Sequence, residues 1–468
     1  MSDSPENRKG KSRLRKTGRR GKRSAPQGPR AAALLALLDI EAGRRPEEAL
    51  EGHGAGLDRR DRALAQALVF GVCRWRSLLE WRITHFLSRP KKSLDPAVRN
   101  ILNLGLFQLE HLDRVPVPAA VSESVTLARD HGPPYAPGLV NAVLRAWLRS
   151  EARPDPDAAG LEQAERLALK QAHPHWLVER WLAELGPLET ECLLAANNTP
   201  APLALRINPA RTTTEVLARL LESRAEKIEP APLAPDGLLL HGPTGPVTGL
   251  PGYQEGFFSV QDEASQIVGL LAVPAPGGLV LDACAGLGGK ALHLATLAQG
   301  PVVGLDPDGK KLEAARREAR RLGAADLHLV RGDLLHPPFR PASFDVVLVD
   351  APCSNLGVIR RRPDVKWSKT AADPARLSET QKRLLAAAAG LVRSGGRLVY
   401  SVCTLTREET VEVVEAFRSG HTEFKPNTAA DYLPPRAAGL AGSDGLLRAW
   451  PHRHGADGFF AAVFQRTR

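Results

Sequence analysis

Two thiols and four carboxylates are spaced along the C-terminal half of the chain in a way that suits covalent chemistry. Asp350-Ala351-Pro352-Cys353 puts an acid and a thiol in one short segment, and Ser401-Val402-Cys403-Thr404 supplies a second thiol. Upstream, Asp282 leads into Cys284-Ala285-Gly286-Leu287-Gly288-Gly289-Lys290, and Asp306 and Asp333 follow. An unperturbed thiol has a pKa of about 8.5, so a thiol that attacks at neutral pH needs an electropositive or hydrogen-bonded setting. Lys290 or a helix N-terminus can supply it. Such a pair suits an electron-poor ring: sulfur adding at carbon-6 of a pyrimidine makes an enamine whose carbon-5 can attack a methyl donor. The glycine loop fits neither common phosphate cradle. Ala291 stands where the dinucleotide fingerprint has its third glycine, and Cys284 stands where a P-loop begins with glycine. Gly286, Gly288 and Gly289 still allow the close backbone approach that an adenosine-bearing ligand without phosphates requires. Asp306 suits its ribose hydroxyls, and Asp333 its exocyclic amine.

The elements that must position these groups are legible as short apolar runs. Leu279-Val280-Leu281, Val302 to Leu305, Leu327 to Val330, Val346 to Val349 and Leu398 to Val402 predict strands buried on both faces, hence a doubly wound, mostly parallel sheet with crossover helices. In such an α/β sheet ligands bind beyond the carboxyl ends of the strands. Each chemical residue lies where a run ends, so five functional side chains are expected on one rim.

Before this catalytic region, 256–468, the chain changes character twice. Residues 31–150 carry helical stripes (Leu64, Ala67, Leu68, Gly71, Val72, Trp75; then Val140, Val143, Leu144, Trp147, Leu148), and Asp95-Pro96 reads as an N-cap with Pro at the first helical position. This predicts an all-α domain. Segment 151–160 reads as a linker. Residues 161–255 predict a small α+β domain: a helix around Trp176 to Leu185, a strand at Leu203, Leu205 and Ile207, and a helix facing inward with Val216, Leu217, Leu220 and Leu221.

The composition is that of a folded chain: 468 residues, 43% hydrophobic and 25% charged. The net charge of +11 is concentrated in residues 1–30, where eleven Lys and Arg face only Asp3 and Glu6. Such an arm is expected to be disordered and fits contact with a phosphate backbone. Five widely separated cysteines support neither disulfides nor a zinc site, so no metal and a reducing, cytoplasmic setting are expected. The apolar run Ala31 to Leu38 is too short for a bilayer. No heptad pattern demands a partner copy, which predicts a monomer.

DACAGLGGK at 282–290, DAPCSNLGVIRRRPDVKW at 350–367, SVCT at 401–404 and HGADGFF at 454–460 resemble the RNA 5-methylcytosine methyltransferase (NOL/NOP2/Sun) family. YQEGFFSVQDEAS at 253–265 matches the segment before that family's catalytic domain, and the region Arg59 to Arg149 resembles a NusB-like RNA-binding domain. The resemblance implies a Rossmann-like methyltransferase fold and S-adenosyl-L-methionine as methyl donor. The donor would be held by Cys284, Ala285, Gly286, Leu287, Gly288, Gly289 and Lys290, with Asp306 on the ribose, Asp333 near the adenine and Asp350 alongside. It further implies Cys403 as nucleophile, Cys353 as the group that resolves the adduct, Asp350 as hydrogen-bond partner of the cytosine ring and Lys290 close to the base. The implied substrate is small-subunit (16S) ribosomal RNA; transfer RNA, or a noncatalytic RNA-binding assembly role, are the alternatives. Leu287 and Ala291 replace the family's Pro and Thr, and Val402-Cys403-Thr404 its Thr-Cys-Ser. The basic run Arg360-Arg361-Arg362-Pro363, with Lys366 and Trp367, is expected to offer charge and a stacking face to a flipped base.

Overall fold

The computed structural model describes residues 28–89, 93–242 and 245–467. Of the expected basic tail, positions 1–27 lie outside these; Pro29 and Arg30 open the first helix instead of ending the tail. Helices α1 (Pro29–Glu41), α2 (Pro46–Gly54), α3 (Arg59–Thr84), α4 (Pro96–His111), α5 (Val117–His131) and α6 (Ala136–Arg149) enclose one core containing Leu34, Leu68, Val72, Ile101, Leu144 and Trp147. Local chemistry starts them where expected. Asp58 caps α3 by accepting from the Asp61 amide at 2.8 Å, and Asp95 caps α4 by accepting from the Ala97 amide at 2.9 Å, with Pro96 in the first turn. Of the expected stripes, Ala67 and Leu148 face solvent, each at the margin of its helix face. Gly71 lets α3 and α4 approach, since a Cβ there would meet the Phe107 ring at 2.0 Å.

The expected linker holds a short 3-10 turn, Pro156–Ala158. Helix α7 (Gln163–Lys170) follows, then α8 (His175–Asn198), which breaks at Gly186 (φ 76°) and Pro187. Only the first arm of α8 was expected. These helices do not pack on the small sheet that follows them; their apolar faces share a core with Leu356, Ile359 and Val365, just beyond the Cys353 segment. The small domain proper is β1 (Leu203–Ile207), α9 (Thr214–Leu221), β2 (Lys227–Pro230), β3 (Gly237–His241) and β4 (Phe258–Val260), an antiparallel sheet in the order β2-β3-β1-β4. Because β4 pairs with β1, the catalytic region starts after Val260, not at 256. In α9 the i, i+4 pair Leu217 and Leu221 is buried, while Val216 and Leu220 are exposed, contrary to expectation. A two-turn helix on a small sheet hides only a narrow stripe.

The C-terminal region runs α10 (Glu263–Leu271), β5 (Val280–Asp282), α11 (Gly289–Leu297), β6 (Val302–Asp306), α12 (Gly309–Leu322), β7 (Leu327–Arg331), β8 (Phe344–Asp350), α13 (Val365–Ser368), α14 (Asp373–Ala389), β9 (Val392–Val402), α15 (Val411–Gly420), β10 (Phe424–Asn427), β11 (Leu447–Ala449), α16 (Pro451–His454) and β12 (Phe459–Arg466). The sheet order is β10-β12-β9-β8-β5-β6-β7, with β11 on β12. Strands β5 to β9 pair in parallel, and β12 runs antiparallel to β9 and β10. Alternate residues enter opposite cores: Val347 and Leu398 one, Val346, Leu348 and Val399 the other. This is why the strands read as unbroken apolar runs. Strand order reverses between β5 and β8, opening a crevice beyond their carboxyl ends. Among the described residues no helix is long and apolar enough to cross a membrane.

The basic run after Cys353 is not the open face expected of it. Arg360 and Arg361 are tied to Asp457 at 2.7 and 2.8 Å, and Arg361 also to Asp262 at 2.7 Å. Lys366 is fully buried and donates to the Arg74 carbonyl (3.0 Å), the Ala172 carbonyl (2.9 Å) and Asn198 Oδ1 (2.8 Å). The Trp367 indole donates to the Cys73 carbonyl at 2.6 Å. Burial and the neighbouring Arg74 push the Lys366 ammonium well below its ordinary pKa, yet its three acceptors match three N–H groups. The segment therefore staples α3, the α7–α8 pair and the catalytic sheet together. Lys366→Met, which keeps the volume but orphans three acceptors, is expected to cost about 3 kcal/mol or more. A thermal melt checks this; a variant melting with the parent would refute the staple.

Candidate active site

Each strand of the parallel set delivers one part of the site. β5 ends in Asp282, buried, whose carboxyl is pushed up to about 7 by burial and by the nearby Asp350. The loop that follows turns through Gly286 (φ 55°) and Gly288 (φ 86°), the latter capping α11. A side chain at Gly288 would meet Ala315 at 2.8 Å, whereas a Cβ at Gly289 would meet nothing within 4 Å. The loop thus rests against α12 on one side and faces open space on the other. Leu287 projects outward, 57% exposed, Ala285 is buried and Cys284 half-buried. Burial and three surrounding carboxylates raise the Cys284 thiol far above its ordinary range, which leaves it an uncharged neighbour of the loop.

Asp306 ends β6 and braces the same loop: its Oδ2 accepts from the Gly286 amide at 2.9 Å and its Oδ1 from the Asp308 amide at 2.8 Å. Carboxylate oxygens have lone pairs to spare, so ribose hydroxyls remain within its capacity. Asp333 lies just past β7, exposed, its carboxylate capping the Leu335 amide at 3.0 Å.

The reactive groups gather across β5, β8 and β9. Lys290, in the first turn of α11, is buried with its Nζ 2.7 Å from Asp350 Oδ2 and 4.9 Å from the Phe459 ring centre. Burial alone would lower its pKa, but the Asp350 charge and hydrogen bond outweigh this and raise it. The other Asp350 oxygen accepts from Ser401 Oγ at 2.8 Å. Cys353 and Cys403 meet with sulfurs 3.1 Å apart, and the Cys403 thiol donates to Asn355 Oδ1 at 2.9 Å. Asn355 sits in the left-handed region, φ 62°, a conformation asparagine tolerates better than most side chains. The Cys403 thiol is held well above its ordinary range, first by its hydrogen bond with Cys353 and then by burial; Lys290 opposes both.

A set of hydrogen bonds fixes the thiol segments. Glu409 accepts from the Ser354 amide (2.8 Å), Gln381 Nε2 (2.9 Å) and Thr406 Oγ1 (3.0 Å), while Ser354 Oγ donates to Thr404 Oγ1 at 3.0 Å. Gly357 donates to the Cys403 carbonyl at 3.0 Å, and a Cβ on it would meet the Gly458 carbonyl at 2.0 Å. The HGADGFF segment thus does three things: Asp457 anchors the arginines, Gly458 admits Gly357, and Phe459 lies beside Lys290.

The structure brings Lys290, Asp350, Cys353 and Cys403 together, with Asp282 and the glycine loop adjoining them and Asp306 bracing that loop. It adds Asn355, Ser401 and Phe459, which the sequence alone does not single out. Asn355 lies two residues beyond Cys353, the one signal that could have marked it. Asp282→Asn is expected to gain stability over the parent as pH rises. The folded carboxyl titrates at about 7 against an ordinary 3.8, so the favourable protonated state of Asp282 is lost as pH climbs through that range. Between pH 5 and 8 the variant's advantage grows by roughly 2–3 kcal/mol; equal unfolding midpoints for the two proteins at both pH values would contradict this.

A parallel sheet with one antiparallel strand near its edge, a glycine loop after the first strand, an acid after the second and no phosphate cradle define a Rossmann-like, S-adenosylmethionine-dependent methyltransferase. Comparison with known proteins narrows this. A profile for the 16S rRNA methyltransferase RsmB/F family matches residues 270–465, a NusB family profile 27–149, and a profile for the RsmF/B-like ferredoxin-like domain 173–248. The chain is 37% identical over 452 residues to the probable ribosomal RNA small subunit methyltransferase B of Synechocystis, covering 94% of this chain and 99% of that one. It is 36% identical to the corresponding Bacillus subtilis protein over 88% of this chain and 92% of that one. Among solved structures, that of PH0851 superposes with a TM-score of 0.77 at 26% identity, covering 94% and 99% of the two chains. The chain belongs to the ribosomal RNA small subunit methyltransferase B family.

Proposed function

We propose that this chain methylates carbon-5 of a cytosine in small-subunit ribosomal RNA through a covalent adduct on Cys403. The observation that carries the reading is the pair of sulfurs 3.1 Å apart beside the Lys290–Asp350 ion pair, at the rim where the cofactor loop lies. The small-subunit RNA substrate rests on the names of the relatives. The chain is taken to act in the cytoplasm as a monomer and without a metal.

S-adenosylmethionine supplies an electrophilic methyl group on a sulfonium; the loop Cys284 to Lys290 would hold it, with Asp306 on its ribose and Asp333 near its adenine. The chain's own groups then act on the base. Asp350, oriented by Ser401 and protonated through its hydrogen bond with Lys290, donates to the cytosine ring nitrogen and offsets the negative charge that develops there as sulfur adds. Cys403 gives up its thiol proton to solvent, its sulfur forms a bond to carbon-6, and the ring π electrons move toward carbon-5, which becomes the nucleophile. Once carbon-5 has been methylated, Cys353, as thiolate after losing its own proton to solvent, takes the proton from that carbon. The electron pair reforms the carbon-5–carbon-6 double bond and expels Cys403 as thiolate, which recovers a proton from solvent, so the base leaves neutral, both thiols are restored and one proton in all is released for each methyl transferred. Asn355 holds the Cys403 S–H direction until attack. The test is transfer of label from radioactive S-adenosylmethionine to small-subunit ribosomal RNA, followed by nucleoside analysis. Label in 5-methylcytidine is expected; label in another nucleoside, or only in transfer RNA, would overturn the assignment.

A further inference from the structure

A cleft of about 690 Å³ separates the helical domain from the catalytic region, and its position and charge give it a use. Five arginines and Lys369 line it against two carboxylates, Glu41 and Asp364. Most of the arginines are balanced: Arg76 and Arg99 by Glu41, Arg44 by Asp39, Arg362 by Asp364. Arg45, on the helical wall, and Lys369, on the catalytic wall, enter no ion pair among the described residues. The cleft is also lined by Asn355, whose side-chain oxygen receives the Cys403 thiol. A groove with one uncompensated cation on each wall thus reaches Asn355, the acceptor of the Cys403 thiol.

We infer that this cleft carries the single RNA strand flanking the target base, with Arg45 and Lys369 each neutralising a backbone phosphate. This rests on the proposed RNA methylation and specifies how the strand reaches the thiols. Carbon-6 is reached by Cys403 only when the base is out of the stack, which a single strand allows at the least unstacking and unpairing cost. Lone cations on opposing walls suit a phosphodiester backbone better than an uncharged ligand. The aliphatic and aromatic lining, including Ile40, Val72 and Trp367, supplies apolar surface between them.

Binding of a fluorescein-labelled, twelve-nucleotide single-stranded RNA bearing one cytidine, followed by anisotropy from 50 to 300 mM KCl, tests this. The Arg45→Gln/Lys369→Gln double variant is compared with the parent and with Arg317→Gln/Arg320→Gln, an exposed pair on α12. Each phosphate of a single strand that is no longer neutralised lowers the slope of log affinity against log salt by about 0.7, or about fivefold in affinity at 0.1 M salt. The cleft variant is expected to fall by about 1.4 in slope and about 25-fold in affinity, with S-adenosylmethionine binding unchanged by equilibrium dialysis. The α12 pair should lower the slope by less than about 0.7. Cleft variants matching the parent, or matching the α12 control, would overturn the inference; that is also what an acidic protein segment in the cleft would produce. If the parent methylates RNA and the cleft variants bind it normally, the cleft assignment alone fails. If the slope falls as stated but no RNA is methylated, the functional proposal fails and the cleft stands.

Discussion

Cys403→Ala is expected to lower methyl transfer to RNA by on the order of 10⁴-fold or more, the scale seen when a covalent nucleophile is removed, and to abolish any bond between protein and RNA. The reason is electronic. Carbon-5 of cytosine does not attack a sulfonium unless sulfur has added at carbon-6, and of the two thiols that share Asn355 Oδ1 as acceptor Cys403 is the nearer, at 2.9 Å against 3.8 Å for Cys353, and lies just past the end of β9 with Lys290 opposing the rise in its pKa. The fold should not suffer, since the side chain is only half-buried and the groups that hold its segment, the Gly357 amide on its carbonyl and the Thr404 hydroxyl, are outside the deleted atoms. Single-turnover methylation with a melting curve alongside checks both halves. Appreciable turnover by a folded variant would remove Cys403 from the reaction.

Cys353→Ala is expected to have the converse signature: turnover falls by about 10²–10⁴-fold, the usual contribution of a positioned acid or base, while covalent protein–RNA complex accumulates. Methylation at carbon-5 still occurs in this variant, but the proton that must leave has no acceptor, so Cys403 is not expelled. A denaturing gel shift of labelled RNA reads the complex directly. A second effect separates this role from simple packing. Cys353 is the leading cause of the raised Cys403 pKa, so its removal should bring the Cys403 thiolate in at lower pH. The pH profile of Cys403 alkylation by iodoacetamide is expected to move to lower pH in Cys353→Ala. Accumulation in Cys403→Ala instead would exchange the two roles.

Much of the rim was legible because a parallel sheet writes itself plainly: with both faces buried, its strands appear as apolar runs, and the residue ending each run must lie on the ligand side. Asp282, Asp306, Asp350 and Cys403 were found that way. The groups that orient them were not. Asn355 and Ser401 are residue types that occur in any turn or strand, and only three dimensions show that one faces a thiol and the other a carboxylate. Phe459 reads as core, and it is, yet its ring also lies beside Lys290. Strand β12 was missed because an antiparallel return near the sheet's edge has no crossover helix to announce it.

The basic run from Arg360 to Lys366 misled for a physical reason. Composition assigns arginine and lysine to the surface because lone charges are costly to bury, and the compensation here comes from far along the chain: Asp262 and Asp457 for the arginines, Arg74, Ala172 and Asn198 for Lys366. Pairing at such separations leaves no local pattern. The same long reach explains why α7 and α8 belong with the thiol segment although the chain places them before the small sheet.

The central claim is that the sulfur of Cys403 bonds to the base while the cofactor delivers its methyl group. RNA carrying 5-fluorocytidine at the target position tests it most directly, because fluorine leaves carbon-5 without a proton to lose after methylation and the adduct cannot resolve. Incubation with S-adenosylmethionine, proteolysis and mass spectrometry should find a methylated fluoronucleotide on the peptide containing Cys403. The same nucleotide on Cys353, or no adduct from protein that forms 5-methylcytidine in unsubstituted RNA, would contradict the claim.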